Sequence, residues 1–215
     1  MSKKITLICL GESGRNIPVK GYSIGCQYSW NWFEPSIISM MDKEEWFVEK
    51  FKLLGKNVYD ELNLLGKPVI VQKKWKNLKV PQIIYPIEEI IKEFGFKYLT
   101  CSQAYMIAYA LYLGFEEIEL VGFDNKLDSL KELKKDVEWL NIWWDEVACQ
   151  NFWYGLAKGM GVNIHGSSGI GNIITPKNKW KYAYDVSPIH KRKRREILFD
   201  LKKKGKDNHG IKVKK

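Results

Sequence analysis

Short apolar runs, each closed by a glycine or a polar residue, recur along the chain as far as residue 165. The first, Ile5–Leu10, carries no charged residue and stops at Gly11. A strand buried on both faces has this continuous apolar pattern, whereas a half-buried strand alternates apolar and polar residues. Further runs predict strands at residues 22–26, 36–41, 67–71, 117–123 and 162–165.

Segments with helical periodicity lie between these runs. Residues 43–65 repeat Trp, Phe and Leu at helical spacing and close at Gly66, which predicts one helix. Shorter helices are predicted at 87–94, 104–113 and 145–158, with Thr100 and Ser102 as N-cap residues for the helix at 104–113. Strands that alternate with helices and glycine loops predict a Rossmann-like α/β fold, with a mostly parallel central sheet and helices on both faces.

The positive charge of the chain is concentrated near one end. The whole chain has a net charge of +10, and Lys191–Lys215 alone holds twelve basic and three acidic residues, a net charge of +9. We therefore predict one α/β domain at residues 1–178 and a basic extension, partly helical or disordered, at residues 179–215. A concentrated basic segment attracts polyanions, so DNA is a predicted partner, and a merely solubilising end is the alternative.

The spacing of the cysteines predicts a reducing compartment, and the length of the apolar runs bears on membrane spans. Cys9, Cys26, Cys101 and Cys149 lie far apart and share no CxxC spacing, which is typical of buried, reduced thiols rather than a zinc site or a disulfide framework. Reduced thiols are typical of the cytoplasm. No apolar run approaches the roughly 18 residues of a membrane helix, so no membrane span is expected.

Polar residues at the strand ends are the candidates for a ligand site, because ligands of parallel sheets bind beyond the carboxyl ends of the strands. Glycine loops and helix starts there offer backbone N–H groups to phosphates, although the first loop lacks the Lys-Ser/Thr ending of a P-loop. The candidates are Gly11, Ser13, Gln27, Asp42, Ser102, Gln103, Asp124, His165 and Ser167. Each has a structural alternative: Ser102 can simply cap its helix, Asp124 can accept loop amides, and His165 can be a hydrogen-bonded structural histidine.

Four segments together resemble a known family. Residues 8–13, 25–27, 99–106 and 113–124 read ICLGES, GCQ, LTCSQAYM and LGFEEIELVGFD. They resemble the bacterial sialyltransferases that modify lipooligosaccharide, whose skeleton is similar to that of 6-hydroxymethylpterin diphosphokinase-like proteins. Residues 154–168 look like a group of phage-encoded, glycosyltransferase-like proteins. The resemblance covers roughly residues 4–175, and residues 99–124 are its most specific part.

The resemblance implies a GT-A-like, metal-independent fold that binds a nucleotide-sugar. By position, Gly11, Ser13, Gln27, Ser102 and Gln103 would cradle the nucleotide. Asp42 falls near the position where the family has a further nucleotide-contacting amide side chain, so this chain has a carboxylate in place of the amide. Magnesium could use the Asp42 and Asp124 carboxylates, but no Asp-x-Asp motif indicates it.

The family's catalytic histidine has no counterpart in this chain. Its region falls near residues 143–146, where Asp145 or Glu146 could instead take the proton of an acceptor hydroxyl. His165 is the third candidate base. The loop residues Leu10 and Glu12 also depart from the family pattern.

The resemblance implies a glycosyltransferase that moves a sugar from a nucleotide donor to a hydroxyl acceptor. The favoured acceptor is a hydroxymethyl-pyrimidine in phage DNA, and the reaction would take place in the host cytoplasm. The basic extension would bind the DNA phosphates. One alternative is a surface-glycan transferase whose extension meets anionic lipid headgroups. The other is a protein that binds and sequesters a nucleotide without turnover.

Overall fold

The computed structural model describes residues 3–124 and 137–166. In this part of the chain, seven strands form one sheet in the order β5-β4-β3-β2-β1-β6-β7, and every neighbouring pair is parallel. The strands are β1 Lys4–Ile8, β2 Ser23–Cys26, β3 Ile37–Met40, β4 Val69–Val71, β5 Gln82–Ile84, β6 Glu117–Val121 and β7 Asn163–Gly166.

Helices cover both faces of the sheet. They are α1 Glu44–Leu53, α2 Val58–Leu65, α3 Ile87–Phe94, α4 Ser102–Tyr112 and α5 Val137–Gly159. On one face, α3, α4 and α5 pack Ile90, Ile107 and Trp153 into one buried cluster with the strands. On the other face, α1 and α2 pack Phe47 and Leu62 against β3 and β4. The predicted α/β fold with a parallel sheet and helices on both faces is confirmed.

The single helix predicted for residues 43–65 is wrong. The chain forms α1 and α2 with a break at Gly55, whose φ of 68° lies in the left-handed region that ends helices. Asn57 then starts α2, because its side-chain oxygen accepts the backbone N–H of Tyr59 at 2.9 Å. The apolar spacing continued through the break, so periodicity alone did not separate the two helices.

Two smaller expectations also need correction. β5 was not predicted, because this edge strand has only three residues, none of them buried, and lies between two prolines. Thr100 and Ser102 do not cap α4 with their side chains; Cys101 occupies the N-cap position and makes no side-chain cap hydrogen bond. The domain boundary predicted at residue 178 lies outside the described residues.

The strand order marks one place where a ligand can enter. From β1 the chain builds the sheet in one direction through β2 to β5, and then returns to the other side of β1 with β6 and β7. In open parallel sheets, the loops on the two sides of such a reversal separate and leave a crevice at the carboxyl edge. The loops after β1 and β6 lie where this rule places a crevice, but hydrogen bonds join them directly. No helix of the described residues is long and apolar enough to cross a membrane.

Candidate functional site

The loops after β1 and β6 are locked together. The Gly11 N–H donates to the carbonyl of Gly122 at 2.9 Å. Asp124, only 5% exposed, accepts the Ser13 backbone N–H at 2.9 Å through one carboxylate oxygen and the Ser13 hydroxyl through the other. Gly11, Ser13 and Asp124 thus meet at the sheet reversal. The N–H groups of Gly11 and Ser13 already have acceptors in this arrangement.

The same contact requires glycine on both sides. A Cβ at Gly11 would lie 2.1 Å from the Asp124 carboxylate and 2.4 Å from the Gly122 carbonyl oxygen, far inside van der Waals contact. A Cβ at Gly122 would lie 2.6 Å from the Cys9 carbonyl oxygen, and its φ of 70° is itself left-handed. These glycines let the two loops approach closely enough for Asp124 to hold Ser13.

Replacing Gly11 with alanine is therefore expected to destabilise the protein. Overpacking of this kind costs about 1–3 kcal/mol, and the Gly122 backbone has little freedom to move away. Gly155→Ala is the matched control, because it lies inside α5 with open space around its Cα and should gain about 0.5–1 kcal/mol. Chemical denaturation of both variants measures the difference. Equal stability of Gly11→Ala and the wild type would show that the loops are not locked.

A second group of side chains converges beside the first. The Gln27 side-chain nitrogen donates to the Asp42 carboxylate at 2.8 Å and to the Ser102 hydroxyl at 3.4 Å. These residues follow β2, follow β3 and open α4, so three separate elements bring them together. With its amide nitrogen used in this way, Gln27 has its carbonyl oxygen to offer to a ligand. Gln103 lies beside Ser102 in the first turn of α4 and is half-buried.

The backbone of Gln27 is strained. Its φ of 40° lies in the left-handed region, and among the described residues it is the one non-glycine residue with a positive φ. Such a conformation costs about 1–3 kcal/mol and persists only where the surroundings hold it, commonly at ligand sites. The hydrogen bonds to Asp42 and Ser102 fix the side chain of Gln27 at this turn.

Two half-buried carboxyl groups belong to the same region. Burial raises the pKa of Asp42, and the nearby Lys50 ammonium partly offsets the effect. Burial also raises the pKa of Glu146, and the negative charges of Asp42 and Cys149 raise it further. Glu146 lies beside the start of α4, because its backbone carbonyl accepts the Cys101 thiol at 3.4 Å. A carboxylate with a raised pKa is a stronger base than an exposed one, which suits it to take a proton near neutral pH.

The start of α4 is tied to α5 at the turn that carries Glu146. The Asp145 carbonyl accepts the Tyr98 hydroxyl at 3.2 Å and the Thr100 hydroxyl at 3.4 Å, whereas the Asp145 side chain is exposed. Of the two acidic candidates, Glu146 is the half-buried one, and its pKa is the one that burial raises. The structure thus brings Gln27, Asp42, Ser102 and Glu146 together, and leaves the Asp145 carboxylate in solvent.

A cavity of about 380 Å³ adjoins Asp42 at the carboxyl ends of β3 and β4. Its size suits one monosaccharide or one nucleoside. The residues around it are Asp42, Lys43, Glu44, Glu45, Gln72, Lys73 and Trp75. The sequence analysis missed Gln72 and Trp75. Gln72 directly follows the β4 run, so the strand-end rule that selected Asp42 would also have selected it.

The remaining predicted residues lie elsewhere. His165 is inside β7, paired in register with Glu119, and its Nε2 lies 3.3 Å from the Glu117 carboxylate. Lys4 binds the same carboxylate at 3.1 Å, so His165 belongs to a charged strip on the sheet face rather than to the strand end. Ser167 lies outside the described residues. Within residues 3–124 and 137–166, no group of three or more His, Cys, Asp or Glu residues is arranged to hold a metal ion.

Comparisons with known proteins give weak structural likenesses. No protein-family model matches the chain, and no curated protein is significantly similar to it. It is similar to the apo alpha-2,3-sialyltransferase from Campylobacter jejuni, with 16% identity, a TM-score of 0.48, and 93% of this chain and 95% of that chain covered.

Two complexes of sialyltransferase CstII are also similar. For the Campylobacter jejuni enzyme with CMP-3FNeuAc the identity is 16%, the TM-score 0.45, and the coverage 80% of this chain and 84% of that chain. For the complex with a trisaccharide acceptor and CMP the identity is 12%, the TM-score 0.45, and the coverage 83% and 89%. The fold assignment above follows from the strand order of this chain alone.

Proposed function

We propose that this protein is a glycosyltransferase that moves a sugar from a nucleotide-sugar donor to a hydroxyl group, with Glu146 as the general base. The observation that carries the proposal is the convergence of Gln27, Asp42, Ser102 and Glu146 at the carboxyl edge of the sheet. Separate elements supply these residues, and Gln27 has a strained backbone conformation at this position. The sequence resemblance in residues 99–124 supports the same reaction class.

The donor would bind where Gln27 and Ser102 meet. The backbone N–H groups at the start of α4 carry partial positive charge and suit the phosphate of a nucleotide. The Ser102 hydroxyl and the Gln27 carbonyl oxygen would hydrogen-bond the rest of the donor. Asp42 holds the Gln27 amide in this orientation by accepting its N–H.

In the transfer step, the acceptor oxygen attacks the anomeric carbon of the donor sugar. The new carbon–oxygen bond forms as the bond to the nucleotide phosphate breaks, and the phosphate leaves with the electron pair. Glu146 takes the proton of the acceptor hydroxyl. Asp42 supports this role because its negative charge adds to the burial that raises the pKa of Glu146.

The proposed acceptor is a hydroxymethyl-pyrimidine in DNA. The net charge of +9 in Lys191–Lys215 supports a polyanionic acceptor, since lysine and arginine that neutralise phosphates supply sequence-independent affinity. A base within a duplex would have to leave the stack to reach Glu146. The alternative source of the acceptor hydroxyl is a surface glycan, and transfer to it would need no base flipping.

A thermal-shift panel of CMP, UDP, GDP and ADP, each free and linked to a sugar, tests donor binding. A ligand at 100 times its Kd adds about 2.7 kcal/mol of stability, which raises Tm by several degrees. We expect one nucleotide class to produce this shift. Gln27→Ala should abolish it, and Asn31→Ala should keep it, because Asn31 is an exposed amide in the same short 3-10 helix.

Two results would count against the proposal. Absence of a shift with every nucleotide, or an undiminished shift in Gln27→Ala, would remove the donor site from this edge. Binding without release of free nucleotide from any sugar-linked donor, with hydroxyl acceptors present, would favour a sequestering protein over a transferase.

A further inference from the structure

The cavity of about 380 Å³ beside Asp42 has so far no ligand assigned to it. It lies at the carboxyl ends of β3 and β4, further along the sheet than Gln27, which follows β2. The Asp42 carboxylate accepts the Gln27 side-chain N–H at 2.8 Å, and Asp42 also lines the cavity. The cavity and the contact between Gln27 and Ser102 therefore adjoin at Asp42.

The polar groups that are held in place around the cavity are hydrogen-bond acceptors. Glu44 is half-buried, and its carboxylate accepts the Tyr59 hydroxyl at 2.6 Å. Gln72 donates its side-chain N–H to the Met41 carbonyl, which leaves the Gln72 carbonyl oxygen to accept from a ligand. The Asp42 carboxylate is fixed by Gln27 in the same way. A ligand that fits these groups must bring several hydrogen-bond donors.

The fixed charge around the cavity is negative. Asp42 and Glu44 are half-buried and hydrogen-bonded, and Glu45 adds a third carboxylate. Lys43 and Lys73 also line the cavity, but both are exposed, so their long side chains can turn the ammonium groups into solvent. Three acidic residues against two basic ones leave an anionic ligand with net repulsion.

The cavity also has one rigid aromatic wall. Trp75 is only 2% exposed, and its ring packs against Phe47 and Tyr59, with ring centroids 5.8 and 6.2 Å away. The Gln82 side chain accepts the Trp75 backbone N–H at 2.7 Å and donates to the Trp75 carbonyl at 2.9 Å, which fixes the backbone of this residue. An apolar wall beside fixed acceptors suits a sugar, because a sugar ring has apolar C–H faces and hydroxyl donors around its rim.

We propose that this cavity binds a sugar ring without negative charge, whose hydroxyl groups donate to Asp42, Glu44 and Gln72. Hydrogen bonds to carboxylates are charge-assisted, so a small number of them can hold a single ring. The binding of such a ring does not depend on the proposed function. Its assignment as the transferred sugar does rest on that function, and it specifies a donor whose sugar is a neutral hexose rather than an acidic sugar.

Saturation-transfer NMR on the full-length protein tests the binding without any nucleotide. The probes are the methyl glycosides of glucose, galactose and mannose, each beside its uronic acid counterpart, in which a carboxylate replaces the CH₂OH group. We expect at least one neutral glycoside to bind. Its uronic acid counterpart should bind about fivefold more weakly, because one uncompensated carboxylate lies near the new negative charge.

Two variants assign the signal to this cavity. Gln72→Ala removes one acceptor and should weaken binding of the neutral glycoside about three- to tenfold. Glu45→Gln removes one negative charge and should narrow the difference between the neutral and acidic partners. Glu49→Gln is the matched control, because Glu49 is an exposed glutamate one turn further along α1 and outside the cavity, and it should leave both affinities unchanged.

Three results would overturn the assignment of this cavity. They are the absence of saturation transfer to every neutral glycoside, tighter binding of a uronic acid than of its neutral partner, and undiminished binding in Gln72→Ala. The thermal-shift panel separates the cavity from the donor site. Glycoside binding without any nucleotide-induced shift would reject the donor site and leave the cavity in place. A nucleotide that stabilises the protein no more when a neutral hexose is attached would overturn the role of the cavity in donor binding.

Discussion

Replacing Glu146 with glutamine should reduce glycosyl transfer by roughly 10²–10⁴-fold while donor affinity stays nearly unchanged. Glutamine keeps the shape of the side chain and removes the proton acceptor. The effect should therefore appear in the turnover of saturated enzyme, measured by release of the free nucleotide. Donor affinity, measured by thermal shift, is proposed to depend on Gln27 and Ser102 and is expected to survive.

Asp145→Asn is the matched comparison, since the neighbouring carboxylate is exposed and its contacts are made by its backbone carbonyl. Turnover of this variant should stay within about twofold of the wild type. The reverse pattern would identify Asp145 as the base. Full turnover in both variants would redirect attention to His165.

The pH dependence gives an independent signature of the same residue. Glu146 must be ionised to accept a proton, so the acidic limb of the rate profile should lie above the ordinary glutamate value of 4.5 and vanish in Glu146→Gln.

The stability of the protein should fall over the same pH range in which its turnover rises. Because the folded state holds this proton more tightly than the unfolded chain, the wild type loses stability relative to Glu146→Gln as the pH rises through the raised pKa. If Glu146→Gln is folded, more stable than the wild type at neutral pH and nearly inactive, then the buried Glu146 carboxylate lowers stability but is needed for turnover.

The strand-end rule explains how much of this site was visible in the sequence. Short runs rich in apolar residues predict β1, β2, β3, β4, β6 and β7, and the residue after a parallel strand must lie at the carboxyl edge. Gln27 and Asp42 were found in this way. Their contact with each other and with Ser102 was not, because it depends on which strands are neighbours.

The choice between Asp145 and Glu146 illustrates what sequence reasoning lacks. Both are acidic, adjacent and on one helix, and the apolar pattern of α5 runs nearly all round it. Which of the two faces Asp42 depends on the rotation of α5 about its axis. Contacts from Tyr98 and Thr100 to the α5 backbone fix that rotation, and they join residues more than forty positions apart.

The same limit applied to the cysteines and to the first helix. A CxxC search detects only neighbours in sequence, whereas packing of α4 against α5 brings the Cys101 sulfur to the Glu146 carbonyl and the Cys149 sulfur to the Thr100 N–H. The break at Gly55 was hidden for a different reason. Glycine is tolerated within helices, so its left-handed conformation there could not be read from an otherwise continuous apolar pattern.

Removing residues 190–215 should weaken binding to DNA of any sequence by at least about 100-fold at low salt. The segment Lys191–Lys215 carries a charge of +9, and the remainder of the chain is nearly neutral, so most of the attraction to phosphates would be lost. The slope of log affinity against log salt should also flatten, by about one unit for each phosphate contact removed. Fluorescence anisotropy with a labelled duplex across a salt series measures both quantities.

A second variant separates charge from the mere presence of the extension. Changing the five basic residues 191–195 to glutamine keeps the length of the chain and should flatten the salt slope by up to about five units. Donor binding should survive in both variants, because Gln27, Asp42 and Ser102 lie in the near-neutral part of the chain. If the truncated protein binds DNA as tightly as the intact one, or if the intact protein has no affinity for DNA at low salt, a DNA acceptor is wrong. Glycosyl transfer to a surface glycan would then be the acceptor chemistry to pursue, and vesicles of anionic lipid would replace DNA as the partner of the basic extension.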